Sequence, residues 1–124
     1  MTNEVYTVDD TLKAALRTVH DFVYLQGSAP ETLPPLYISF MTAASVTTCY
    51  DNSDYVTKWR VQTVVYGVDP VDVKRLAKSA RKAVKNAGFT PIGKGNNIMS
   101  GNPEYTGWIQ EFYFIENERG IENG

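Results

Sequence analysis

Two hydrophobic periods divide the chain. Leu12, Ala15, Leu16, Val19, Phe22 and Val23 recur at helical spacing, which predicts a helix from about Val8 to Leu25 with one apolar stripe. Thr7 followed by Asp10 has the form of a capping box with a shorter acid. Asp9 and Asp10 suit the positive end of the helix dipole, and Gly27 ends the element. Ser28 to Pro35 holds prolines at 30, 34 and 35 and no apolar period, so it reads as an extended connector. From Leu36 the period shortens. Leu36–Thr42 and Ser45–Tyr50, separated by Ala43-Ala44, read as strands, and the turn signal Asp51-Asn52-Ser53-Asp54 leads into a long run, Tyr55–Tyr66. Strict alternation there puts Tyr55, Thr57, Trp59, Val61, Thr63 and Val65 on a core side. Val56, Lys58, Arg60, Gln62, Val64 and Tyr66 fall on an open face.

The next segment is the most strongly marked helix, Asp69 to Ala87, with Asp69 as N-cap, Pro70 in the first helical position and Gly88 closing it. Val73, Leu76, Ala77, Ala80, Ala83, Val84 and Ala87 share its inner side. Lys74, Arg75, Lys78, Arg81, Lys82 and Lys85 cluster on the opposite side. A short strand at Phe89–Ile92, a loop from Gly93 to Pro103 and a final aromatic strand, Tyr105–Glu116, complete the pattern, with a polar flexible tail at 117–124. The expected fold is α+β in the order α-β-β-β-α-β-β. It is a mostly antiparallel four- to five-stranded sheet with two helices packed on one face, in a single domain spanning residues 1–124.

Composition narrows the chemistry. A length of 124 residues with 43% hydrophobic and 12% aromatic content supports one sizeable core. The lone cysteine, Cys49, excludes an intramolecular disulfide and a cysteine-based zinc site, and His20 is equally alone, so neither metal nor cofactor is expected. The first residues carry no secretion signal, and no apolar run approaches the ~20 residues of a membrane span, so the expectation is synthesis in the cytoplasm without membrane contact. Charge is segregated: residues 1–54 carry net −5, residues 55–104 net +6 and residues 105–124 net −3. Such polarity suits self-association or attraction to an anion, although a lysine-rich helix face can simply be solvated.

The motifs do not compose a catalytic site. Gly88-Phe-Thr-Pro-Ile-Gly93-Lys94-Gly95 matches a phosphate-loop frame only up to its last position, follows a helix instead of preceding one, and carries Pro91 where an N–H donor is required. Cys49 and His20, oriented by an acid such as Asp21, could in principle form a nucleophile pair, but no spacing supports it. The paired acids at 9 and 10 and at 51 and 54 are explained by cap and turn chemistry. Aromatics at 55, 59, 66, 108, 112 and 113 beside basic residues raise a nucleic-acid reading. The RNA-recognition signature is absent, leaving the clustered charge as its sole support. In the last strand Trp108, Phe112 and Phe114 alternate with Ile109, Tyr113 and Ile115, so both faces are apolar. Either the strand twists into the core or a second subunit covers one face.

The run Tyr55-Val-Thr-Lys-Trp-Arg-Val-Gln-Thr-Val-Val-Tyr-Gly-Val-Asp-Pro, feeding a helix with Leu76, Ala80 and Val84 and ending Ala87-Gly88-Phe89, resembles the tail terminator or tail completion proteins of long-tailed bacteriophages. The similarity spans most of residues 8–116 as a pattern of elements. It implies a non-enzymatic virion protein of the tail or neck, without catalytic residues or cofactor. Such a protein forms a homo-oligomeric ring, commonly a hexamer, that caps the tail tube and meets the head-completion or connector protein. The expected subunit contacts are Trp108, Phe112 and Phe114 or the Lys58, Arg60, Gln62 face. The basic helix face would then meet an acidic neighbour or line a passage for DNA. The competing class is a small nucleic-acid-binding module acting through the basic helix.

Overall fold

The computed structural model describes residues 7–50 and 54–117. Its elements are α1 (Thr7–Arg17), β1 (Val23–Leu25), β2 (Leu36–Tyr50), β3 (Asp54–Gly67), α2 (Pro70–Asn86), β4 (Thr90–Met99) and β5 (Thr106–Asn117). The strands form one five-stranded sheet in the order β1-β2-β3-β5-β4, parallel between β1 and β2 and antiparallel elsewhere. Both helices lie on the same face, α1 over β1 and β2, α2 over β3, β5 and β4, and they touch each other. The fold class and the order of elements are those expected; the membership of three elements is not.

The first helix is shorter than its stripe. Val8, Leu12, Ala15 and Leu16 are buried as the period requires, but α1 ends at Arg17. The Thr18 hydroxyl donates to the Ala15 carbonyl at 2.6 Å, and the Val19 amide donates to the Leu16 carbonyl, tightening the last turn. Val23 still reaches the core, as part of β1 with Val23 opposite Ile38 and Leu25 opposite Phe40. Phe22, Val23 and Tyr24 favour extended backbone, and the free edge of β2 offers them hydrogen bonds that a helix would have supplied internally. The Ile38 amide donates to the Phe22 carbonyl at 2.9 Å, and the Gln26 amide to that of Phe40 at 2.8 Å.

The two strands expected at 36–42 and 45–50 are one fifteen-residue strand. Ala43-Ala44 is no turn, because it lacks the Gly, Asn or Asp that a two-residue hairpin demands. Ala44 lies opposite Trp59 and Thr47 opposite Thr57, so Ser45 and Val46 together face Lys58 in a bulge. The turn expected at 51–54 falls largely outside the described residues, as does nearly all of the tail expected at 117–124. β3 obeys its alternation: Thr57, Val61, Thr63 and Val65 are buried under the helices, while Lys58 and Arg60 are exposed on the other face.

α2 follows its local signals at both ends. Asp69 holds extended backbone, its carboxylate accepts the Val71 amide at 2.9 Å, and Pro70 opens the first turn. Gly88 at φ +107 and the Phe89 amide, which donates to the Val84 carbonyl, close the other end. Val73, Leu76, Ala77, Ala80 and Val84 are buried against the sheet. Asp69→Ala should lower stability by about 1 kcal/mol, read as a shifted urea midpoint at unchanged slope.

β4 is a ten-residue edge strand where a four-residue strand and a loop were expected. It passes through Gly93-Lys94-Gly95: Ile92 lies opposite Glu111 and Asn96 opposite Ile109, so three residues span Gln110 alone. Gly93 at φ +74 and Gly95 at φ +92 supply the backbone such a bulge needs.

A basic groove beside an uncovered sheet face

The sheet face turned away from the helices carries Lys58, Arg60, Gln62, Val64 and Tyr66 of β3 beside Ile109, Glu111, Tyr113 and Ile115 of β5. Arg60 pairs with Glu111 at 3.3 Å, and the Lys58 ammonium lies 4.7 Å from the centre of the Tyr113 ring. Both contacts are exposed, so the ion pair contributes only about 0–1 kcal/mol. This half of the face is accessible, with Lys58, Arg60 and Ile115 exposed and Gln62 half-buried. The other half is closed by tyrosines. The Tyr37 ring lies 5.3 Å from that of Tyr66 and 6.0 Å from those of Tyr24 and Tyr105. The Tyr105 hydroxyl donates to the Pro34 carbonyl at 2.9 Å and so ties the proline connector to the sheet. Burial, together with the neighbouring phenols of Tyr66 and Tyr105, raises the Tyr37 pKa above its ordinary value. Sequence reasoning missed this cluster, because Tyr37 of β2 and Tyr105, just before β5, meet only once β3 has placed those two strands on either side of it.

The helix side of β5 corrects one expectation. Phe112 is fully buried and therefore offers no surface to another subunit. Trp108 and Phe114 are half-buried against the same core, with the Phe114 ring 4.6 Å from that of Phe89. One apolar row of the last strand is thus core, and the row left open is Ile109, Tyr113 and Ile115.

Along the outer flank of α2 lies a groove of about 300 Å³ lined by Lys74, Ala77, Lys78, Arg81, Lys94 and Trp108. Helical spacing aligns Lys74, Lys78 and Arg81 on the wall, Trp108 of β5 contributes its indole, and the β4 bulge brings Lys94. The Lys74 ammonium sits 5.9 Å from the centre of the Trp108 ring. The bulge leaves ladder carbonyls without their usual partners, and Gln110, buried opposite them, supplies these: its amide nitrogen donates to Ile92 and Gly93 at 3.2 Å each. Arg81 also donates to the Gly93 carbonyl, at 3.3 Å. Two buried polar atoms here have no partner among the described residues, the donor Nε of Arg81 and the acceptor Oε1 of Gln110.

Of the six basic residues expected on one helix face, Lys74, Lys78 and Arg81 line this groove, whereas Arg75 pairs with Asp72 at 3.4 Å and Lys82 and Lys85 are exposed without lining it. Lys94 and Trp108 were not grouped with the helix. Lys94 sat in the phosphate-loop frame, which the structure forms as a helix end running into a bulged strand.

His20 and Cys49 are not brought together. The Leu36 carbonyl can only accept, so His20 donates to it from Nε2, at 2.8 Å. Cys49 lies thirteen positions further along the same strand, on the order of 40 Å of extended chain. Among the described residues no cluster of His, Cys, Asp and Glu could hold a metal ion.

No protein-family model matches the chain, and no curated protein matches it in sequence. Its fold is shared with a chain in the solved structure of the virion of a native gene transfer agent particle. That similarity has a TM-score of 0.54 at 14% identity and covers 90% of this chain and 98% of the other. At that identity the similarity establishes a common fold over nearly the full length of both chains.

Proposed function

We propose that this chain is a phage-type virion structural protein, a tail terminator whose copies form a ring that caps the tail tube and joins it to the head. The observation that carries the reading is the polarity of the sheet. Asp9, Asp10, Asp21 and Glu31 outnumber Lys13 and Arg17 on α1, before β1 and in the connector after it, while Lys74, Lys78, Arg81 and Lys94 line the groove where α2 meets β4 at the opposite edge. Unlike edges favour head-to-tail contact, and a repeated head-to-tail contact closes into a ring when its rotation permits. The sheet face with helices on one side only adds surface for a tube or connector protein, with Lys58, Arg60 and Gln62 as candidate contacts. The fold shared with a chain of a gene transfer agent virion supports the same reading. DNA would pass through the ring without sequence-specific binding.

Light scattering and negative-stain microscopy test this. Rings, a hexamer by the resemblance, should form at high concentration or when tail tubes are added; monomer alone under both conditions would overturn the proposal. The basic groove favours one competitor, a nucleic-acid-binding module. That reading requires affinity for free DNA that falls steeply with salt and vanishes when Lys74, Lys78, Arg81, Lys82 and Lys85 are reversed in charge.

A further inference from the structure

We infer that the groove walled by Lys74, Lys78, Arg81 and Lys94 receives the Asp21-Phe22 turn of a second copy of this chain. This deepens the ring reading and rests on it. The groove has an apolar part, Ala77 and the Trp108 indole, within a cationic rim, and none of its lining residues is acidic. Its natural complement is an apolar knob beside a carboxylate. Phe22 is such a knob, 46% exposed, and Asp21 beside it is exposed as well. Leu25, 46% exposed, extends the apolar surface along the same edge.

Position makes the contact intermolecular. Phe22 adjoins β1 at one edge of the sheet, and the groove lies between α2 and the β4 bulge at the other. Four strand spacings, about 19 Å, separate those edges, so the turn cannot fill the groove of its own protomer. Each copy therefore has one donor edge and one acceptor edge, the requirement for a chain of contacts that closes on itself.

Size decides against a nucleic-acid strand as occupant. A single compartment of about 300 Å³ with one aromatic side chain suits one anchoring side chain and its neighbour. A strand-binding track would cover roughly 4–16 nucleotides and offer successive stacking platforms.

The test uses the full chain under the conditions in which the wild type assembles. Asp21→Lys, Phe22→Ala and Lys94→Glu should each raise the concentration for half-assembly at least tenfold in sedimentation velocity. Asp21 and Lys94 are exposed, so their variants should melt as the wild-type monomer does by circular dichroism, and Phe22→Ala, which gives up only the edge contact with His20, should still give a folded monomer with a slightly lower midpoint. Combining Asp21→Lys with Lys94→Glu in one chain should assemble at a lower concentration than Asp21→Lys alone, because a reversed pair then faces across every contact, but not at the wild-type one, because Lys74, Lys78 and Arg81 stay cationic. Rings that form normally from Asp21→Lys and Phe22→Ala would overturn this inference while leaving the ring itself standing. Loss of assembly with Lys94→Glu alone, unmoved by either change at 21 and 22 and accompanied by loss of DNA binding, would assign the groove to nucleic acid and overturn it equally. A wild type that never assembles would remove the ring and this contact together.

Discussion

Phe112→Ala should lower the unfolding free energy by about 3–5 kcal/mol, the range for emptying a fully buried aromatic site. Phe112 has no exposed surface and belongs to the core that both helices make with the sheet. It stands opposite Val61 of β3 and Pro91 of β4, at the middle of its strand, where neighbours held by ladders on both sides cannot collapse into the space. Ile115→Ala is the control. It sits on the same strand but on the open face, 50% exposed, and should cost within about 0.5 kcal/mol in the monomer. Urea unfolding of the two variants reads the difference. Equal losses would mean that β5 is covered on both sides within one protomer, and the need for a partner on its outer row would disappear.

Gly95→Val should cost about 2–5 kcal/mol, by two routes that act together. Gly95 holds φ +92, where a β-branched residue is strained. A Cβ at this position would also overlap the Trp108 indole nitrogen and lie 2.8 Å from the Ile109 carbonyl, so indole or strand must shift. The indole is part of the groove, and its displacement should be visible optically. With Trp59→Phe as background, Trp108 is the only tryptophan left, and its emission should move to the red in the Gly95→Val protein. Gly101→Val is the matched control, since nothing lies within 4 Å of a Cβ there and its φ is ordinary. It should change stability by less than about 1 kcal/mol and leave the emission in place. A Gly95→Val protein with wild-type stability and emission would show that the bulge does not hold Trp108.

Elements whose signals are local were legible in the chain. Asp69, Pro70 and Gly88 mark the ends of α2 within a turn of where they act, and the spacing of Val73, Leu76, Ala77, Ala80 and Val84 fixes its buried side. The alternation of β3 separated Val61 and Val65 from Lys58 and Arg60 correctly, because a strand between a helix layer and an open face must alternate. The basic stripe of α2 followed from the same helical geometry.

What was decided in three dimensions depended on partners far away in sequence. Val23 fits a helical stripe and an edge strand equally well, and the choice went to the strand because β2 presents an unpaired edge beside it. Gly93-Lys94-Gly95 has no strand propensity of its own; pairing with β5 and the Gln110 side chain draws it into the sheet. Phe112 and Ile115 look alike in an apolar run, and only the placement of both helices on one face sends one to the core and the other to the surface. The groove shows the division most plainly. Helical spacing by itself determined that Lys74, Lys78 and Arg81 share a flank, since each residue advances ~100° around the axis. That Trp108 and Lys94 complete that flank was determined by the β4–β5 pairing, because hydrogen bonds between strands obey register and not distance along the chain.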